Sequence, residues 1–231
     1  MRSRVAVVGS RGRMGRFAIE LLSNSEEFEL VARIGREHDL GAVVRETRPE
    51  LALDVTAAGL GFRHGSILLE HGVRPLIGTS GVSLEETRLL DERARARGLG
   101  GLVVPNFSLG MCLLQQAALE AARAFERCEI IEMHHDRKRD APSGTALDTV
   151  ERLRAVRGSD AAPIPIHSVR LPGLYAHQLV VFGAAGETYT LRHDMSGPEG
   201  FADGLLVALR HVRTAVGVGR GLAVALESAR G

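Results

Sequence analysis

His134 and His135 stand side by side, Lys138 follows four residues after the first of them, and Ser143-Gly144-Thr145 comes soon after. These residue types suit one kind of chemistry. An imidazole has an unperturbed pKa of about 6.5, close to working pH, so it can deliver a proton. A lysine supplies a fixed cation. Ser143, preceded by Ala141-Pro142, is a good N-cap, and the N–H groups of Ser143, Gly144 and Thr145 at a helix start can hold a carboxylate. A small substrate with several carboxylates, whose reduction requires a proton, fits this set.

A reductant is suggested by the N-terminus. Gly9-Ser-Arg-Gly12-Arg13-Met14-Gly15 follows an apolar run, Val5 to Val8, and opens a helical pattern. Glycines let the backbone approach a pyrophosphate, and a helix N-terminus offers N–H groups and partial positive charge. The next strand ends in Ile34-Gly35-Arg36-Glu37. An acid near this point normally binds the ribose hydroxyls. Gly35 appears in its place and Arg36 follows, so a 2′-phosphate meets less repulsion and a guanidinium partner. The expectation is NADPH in preference to NADH. The alternative is that Arg36 is solvated and Glu37 takes the acid's role.

These groups must be positioned by a frame, and the hydrophobic pattern describes one. Strands are expected at 5–8, 28–34, 51–55, 74–77 and 102–104, with helices at 13–22, 62–70 and 84–97 between them. This is an α/β arrangement, a Rossmann-like parallel sheet with helices on both faces. Its ligands sit beyond the carboxyl ends of the strands, where Gly9, Thr56, Gly78, Thr79 and Asn106 fall. After Phe107 the pattern changes. A long helix at 109–125, a strand at 129–135, a helix at 143–156 and three strand-like runs at 166–171, 178–182 and 187–193 point to a second α+β domain with an open mixed sheet. The expected domains are 1–107 for the dinucleotide, joined by a returning helix at 201–216 and a tail within 200–231, and 108–199 for substrate and oligomerisation. Gly217 to Gly221 reads as a loop.

Composition narrows the function classes. A net charge of +1 over 231 residues gives no field for nucleic acid or an anionic membrane. With no Trp and two Tyr there is no base-stacking platform. No run of about 18 apolar residues suggests a spanning helix, and the short apolar run after the basic start does not suit a signal peptide. Cys112 and Cys128 lack metal-ligand spacing, and a cytoplasmic location is expected. Both read as core residues, which argues against a semialdehyde dehydrogenase with a cysteine nucleophile. No metal site is expected, because the adjacent histidines have no further ligand at suitable spacing. A non-catalytic nucleotide sensor would not need the proton donors.

The chain resembles the 4-hydroxy-tetrahydrodipicolinate reductase (dihydrodipicolinate reductase) family of the diaminopimelate–lysine pathway, over nearly its whole length. Gly9 to Gly15 matches the family's nucleotide turn, and Asp54-Val55-Thr56 resembles its Asp-Phe-Thr. Gly78-Thr79-Ser80-Gly81 and Val104-Pro105-Asn106-Phe107, continuing to Gly110, match its later cofactor loops. Glu129 to His135, with Lys138 and Asp140 to Thr145, matches its signature, and the run from Ser168 to Gln178 looks like one branch of the family. Ala57-Ala58 departs from the Arg-Pro-Glu-like run common there. The resemblance implies reduction of a cyclic dicarboxylate by NADPH or NADH in a homotetramer. It implies His134 as general acid and Lys138 as a second proton donor. His135 would bind substrate, and Gly144 and Thr145 would hold a carboxylate.

Overall fold

The computed structural model describes residues 2–158 and 162–228. Along the chain run β1 (Ser3–Val8), α1 (Arg13–Ser23), β2 (Phe28–Ile34), α2 (Leu40–Thr47), β3 (Leu51–Asp54), α3 (Gly61–Glu70), β4 (Arg74–Ile77), α4 (Leu84–Arg95) and β5 (Gly100–Val103). They are followed by α5 (Leu109–Ala124), β6 (Arg127–His134), α6 (Gly144–Arg157), β7 (Ile166–Arg170), β8 (Ala176–Ala184) and β9 (Glu187–Met195). A 3-10 turn at Pro198–Phe201 leads into α7 (Ala202–Thr214), β10 (Gly217–Arg220) and α8 (Leu222–Ser228). The chain divides into two compact units, Met1–Phe107 with Phe201–Gly231, and Ser108–Gly200.

The first unit is a six-stranded sheet in the order β10-β5-β4-β3-β1-β2, parallel throughout. Its central strands are apolar on both faces because helices cover both: Val5, Ala6, Val7, Leu51, Ala52, Leu53, Leu76 and Ile77 are all fully buried. The chain runs from β1 out to β2, then returns to β3 on the other side of β1. The carboxyl ends of β1 and β3 therefore flank a topological switch point, where ligands of such sheets bind.

Three elements differ from the sequence expectation. The stretch after β2 forms α2, capped by Asp39, whose carboxylate accepts from Ala42 N–H at 2.6 Å. The Gly217–Gly221 stretch, expected as a loop, contains β10 (Gly217–Arg220), the sixth strand, paired with β5, and the tail after it contains α8. Three glycines in five residues gave no strand pattern. The strand is held instead by backbone bonds from Gly217 to Leu99 and from Gly221 to Val103, both 2.8 Å, and by burial of Val218.

The second unit is a four-stranded mixed sheet in the order β7-β6-β8-β9, with β6 and β7 parallel and the other pairs antiparallel. Alternation along β6 turns Cys128, Ile130 and Glu132 to one buried face. There Cys128, Ile130, Val180 and Phe182 pack with Met111, Leu114 and Ala118 of α5 and Ala146, Val150 and Leu153 of α6. Glu129 and Arg127 point to the other, exposed side. No helix among the described residues is long and apolar enough to cross a membrane.

Candidate active site

At the carboxyl end of the first sheet, Gly9 has φ +88°, and a Cβ there would lie 2.7 Å from the Val55 carbonyl oxygen across the switch point. Only glycine allows this approach. The helix it feeds, α1, begins at Gly12 with no side-chain cap and no acid in its first turn. Arg13 stands instead at the positive end of the helix dipole, with Arg11 and its partner Glu37 beside it, so a further anion there is favourable. A pyrophosphate is such an anion, so these residues suit the dinucleotide that the sequence implies.

The neighbouring strand ends form a buried polar knot. Asp54, fully buried, accepts from Thr56 N–H (3.0 Å), Thr56 Oγ1 (2.6 Å) and Thr79 Oγ1 (2.9 Å), and His64 Nδ1 lies 3.0 Å from its second oxygen. Burial opposes its ionisation, but the bonds from His64 and Thr56 outweigh this and hold the carboxyl below its ordinary value. The knot fixes Thr56 and the Gly78-Thr79-Ser80 loop to one another. Gly78 lies against the ring of buried Phe107, leaving no room for a Cβ, and Val104 N–H bonds to Ile77. The structure thus brings Gly9, Gly12, Arg13, Met14, Gly15, Thr56, Gly78, Thr79, Ser80 and Val104 to Phe107 to the same end of the sheet.

At the end of β2, Arg36 is exposed. Glu37 folds back over Gly35, where a Cβ would come within 2.6 Å of its carboxylate, and accepts from Arg11 Nη2 at 2.5 Å. Its ring neighbour His38 accepts the Gly35 N–H at 3.0 Å.

In the second unit, β6 ends at His134, and the loop that follows returns to α6. Ser143 caps α6 by accepting from Ala146 N–H at 3.2 Å, while its own N–H donates to Glu132 Oε1 at 3.2 Å. Both polar groups of Ser143 are thus engaged within the fold, and it is buried. Gly144 opens the helix with open space where a Cβ would stand. Gln178, opposite Glu132 on β8, donates to Thr149 Oγ1 at 3.0 Å and ties this turn of α6 to the sheet.

The histidines differ in their surroundings. His134 is mostly buried, and its Nδ1 lies 2.6 Å from Glu132 Oε2. His135 has a buried Nδ1 with no partner. Lys138 Nζ donates to Asp140 Oδ2 at 2.6 Å, and its N–H bonds to the His135 carbonyl. Burial lowers the pKa of His134; Glu132 opposes this, and the cations Lys138 and Arg170 reinforce it.

Two participants were not singled out in the sequence. Glu132 is fully buried and accepts from the two terminal nitrogens of Arg170, Nη1 at 2.9 Å and Nη2 at 2.7 Å. The signal for Glu132 was available, since a residue two before His134 on a strand shares its face. Arg170 had no local signal, because the register of β6 with β7 places it beside His134. Cys112 and Cys128 are both buried, and burial pushes the Cys128 thiol up, which does not suit a nucleophile.

Known proteins share this sequence and this fold. Residues 3–107 match the family model described as dihydrodipicolinate reductase, N-terminus, and residues 110–222 match the one described as dihydrodipicolinate reductase, C-terminus. The chain is 40% identical to the 4-hydroxy-tetrahydrodipicolinate reductase of Moorella thermoacetica, over 97% of this chain and 98% of that protein. It is 42% identical to that of Coxiella burnetii, over 90% and 92%. A solved structure of dipicolinate-bound dihydrodipicolinate reductase from Paenisporosarcina sp. TG-14 superposes with a TM-score of 0.85 at 35% identity, covering 96% of this chain and 98% of that one.

Proposed function

The chain belongs to the dihydrodipicolinate reductase family, and on that premise we propose how its residues divide the work. It is an NAD(P)H-dependent oxidoreductase that converts 4-hydroxy-tetrahydrodipicolinate to tetrahydrodipicolinate, in the route to diaminopimelate and lysine. The conversion takes up one hydride and one proton and releases one water. The nicotinamide nucleotide, when bound, supplies the hydride.

The protein's own residues do the rest. Gly9, Gly12, Arg13, Met14 and Gly15 hold the pyrophosphate through backbone N–H groups and the start of α1. Thr56, Gly78, Thr79, Ser80 and Val104 to Phe107 line the remainder of the nucleotide site. His134 gives up the proton that balances the hydride. Lys138 draws the doubly charged substrate and serves as the second proton donor. His135 binds a substrate carboxylate, with the N–H groups of Gly144 and Thr145 and the α6 dipole. Ser143 serves that cradle as its cap. The observation that carries this reading is the convergence at one end of the second sheet of His134, His135, Lys138 and the start of α6, where Gly144 leaves space beside the backbone.

NADPH is the preferred reductant. Two guanidiniums, Arg11 and Arg36, stand near the end of β2 against one carboxylate, Glu37, which Arg11 already engages. The second unit assembles the protein into a homotetramer through the sheet face that α5 and α6 leave open, where Arg127, Glu129, Ile131, His167 and Val181 lie. No nucleic acid or membrane takes part, and the reaction is cytoplasmic.

The purified protein, given 4-hydroxy-tetrahydrodipicolinate generated in place by the preceding synthase, should oxidise NADPH with formation of tetrahydrodipicolinate. Nucleotide binding without turnover would point to a sensor instead.

A further inference from the structure

Glu132 is a fully buried carboxylate to which the reaction assigns no step. Its oxygens serve three elements at once. Oε2 takes His134 Nδ1 (2.6 Å) and Arg170 Nη1 (2.9 Å). Oε1 takes Arg170 Nη2 (2.7 Å) and the N–H of Ser143 (3.2 Å), the residue that caps α6. Arg170 reaches on to the Asp140 carbonyl at 2.7 Å, in the loop between Lys138 and the cap. A structural ion pair would need only Arg170. The further engagement of His134 and of the helix start calls for another explanation.

We propose that Glu132 is a positioning residue for proton transfer: its carboxylate fixes the His134 ring with Nδ1–H inward, and the same carboxylate binds the start of α6 to that ring. The inference rests on the reading of His134 as proton donor. An ionised carboxylate can only accept, so Nδ1 must carry hydrogen in both protonation states of the ring. The transferable proton is then on Nε2. It leaves from Nε2 as the imidazolium becomes the neutral Nδ1–H form, and Glu132 stays ionised throughout. Its ionisation is secured against burial by bonds from Arg170, Ser168 and His134. A buried carboxylate that orients an imidazole in this way sets which nitrogen reacts without itself accepting the proton.

The charged groups facing the ring are few. Glu132 shares its strand, Arg170 comes from β7, and Lys138 with its partner Asp140 comes from the following loop. On β8 the residue opposite His134 is Ala176. Among these, Glu132 alone bonds the ring and favours its charged form, so its removal should act in one direction.

The test is a nitrogen-15 spectrum of the full chain labelled at histidine, with His134 assigned by its loss in His134→Gln. Above its pKa, His134 should be in the Nδ1–H form. Glu132→Gln leaves a single oxygen, which Arg170 claims, and turns an NH2 toward the ring. In that variant the tautomer should switch to Nε2–H, the alkaline limb of the kcat/KM profile should move to lower pH, and kcat should fall about 10²-fold, with NADPH affinity unchanged. Glu132→Asp should restore part of the activity. A wild-type His134 in the Nε2–H form overturns the proposal with no variant needed, and so does Glu132→Gln with unaltered tautomer and pH profile. If His134→Gln kept its kcat, the proton-donor assignment would fall separately, while the spectra would still report whether Glu132 holds the ring.

Discussion

His64 Nδ1 lies 3.0 Å from Asp54 Oδ2, and the carboxylate it meets is completely buried. The pair joins α3 to the end of β3 at the point where Thr56 and Thr79 share the other oxygen of Asp54. Asp54→Asn keeps the size of the side chain but removes the charge and exchanges one acceptor for a donor. The variant should lose about 1–3 kcal/mol of stability, read as a lower urea midpoint. The pH dependence has a definite sign. The pKa of Asp54 is lowered in the fold, so its contribution is complete above the carboxyl's unfolded value and is lost as pH falls through the lowered folded value. The stability difference between wild type and Asp54→Asn should therefore shrink on acidification; a constant difference would show that the charge is irrelevant.

His134→Ala should lower kcat by about 10²- to 10⁴-fold, the range a positioned acid contributes. Nucleotide affinity, followed by fluorescence titration, should be unchanged because His134 is not among the residues proposed to hold the nucleotide. A variant with wild-type kcat would remove His134 from the mechanism.

Lys138→Ala should raise KM for the dicarboxylate and also reduce kcat, on the proposal that the ammonium both draws the dianion and donates a proton. Lys138 is paired with Asp140 at 2.6 Å, so Asp140→Ala is the informative partner variant. It leaves the cation in place and should impair substrate binding less. Equal losses in the two variants would mean that loop shape, rather than the charge, is what matters.

Arg36→Ala should reduce kcat/KM for NADPH about 10- to 100-fold, the worth of a hydrogen bond to a charged group, and change the NADH value little. Glu37→Gln should shift the ratio of the two nucleotides further toward NADPH. Wild-type protein with a strong NADH preference would instead assign the ribose hydroxyls to Glu37, whose carboxylate lies over Gly35.

The pH profile follows from burial of His134, which holds its pKa below the ordinary imidazole value in the free protein. A general acid works protonated, so kcat/KM should fall with rising pH through a limb below that value. A bound dianion near the ring would favour the imidazolium, so the limb in kcat should lie at higher pH. Coincident limbs would mean that the substrate's charge does not reach His134.

What could be read directly from the chain was local. The glycine turn before α1, the Ser143 cap and the His134-His135-Lys138 cluster are set by residues within a few positions of one another. The alternation of apolar strands and amphipathic helices was enough to predict a parallel sheet with helices on both faces, and its strand order came from the structure. α2 escaped because eight residues, with Gly41 among them, give little periodicity, and its Asp39 cap was the one cue. β10 escaped because a glycine-rich strand owes its shape to the groove beside β5 rather than to its own preference. The environment of His134 could not be read at all from sequence spacing. Arg170 is 36 residues away in the sequence and reaches the ring only through the β6–β7 register, and Glu132 becomes a buried, ionised acceptor only once α6 starts over it. Sequence determined which groups were available for the chemistry. Tertiary structure decided the surroundings of the imidazole, because hydrogen-bond partners and burial are set by what packs together.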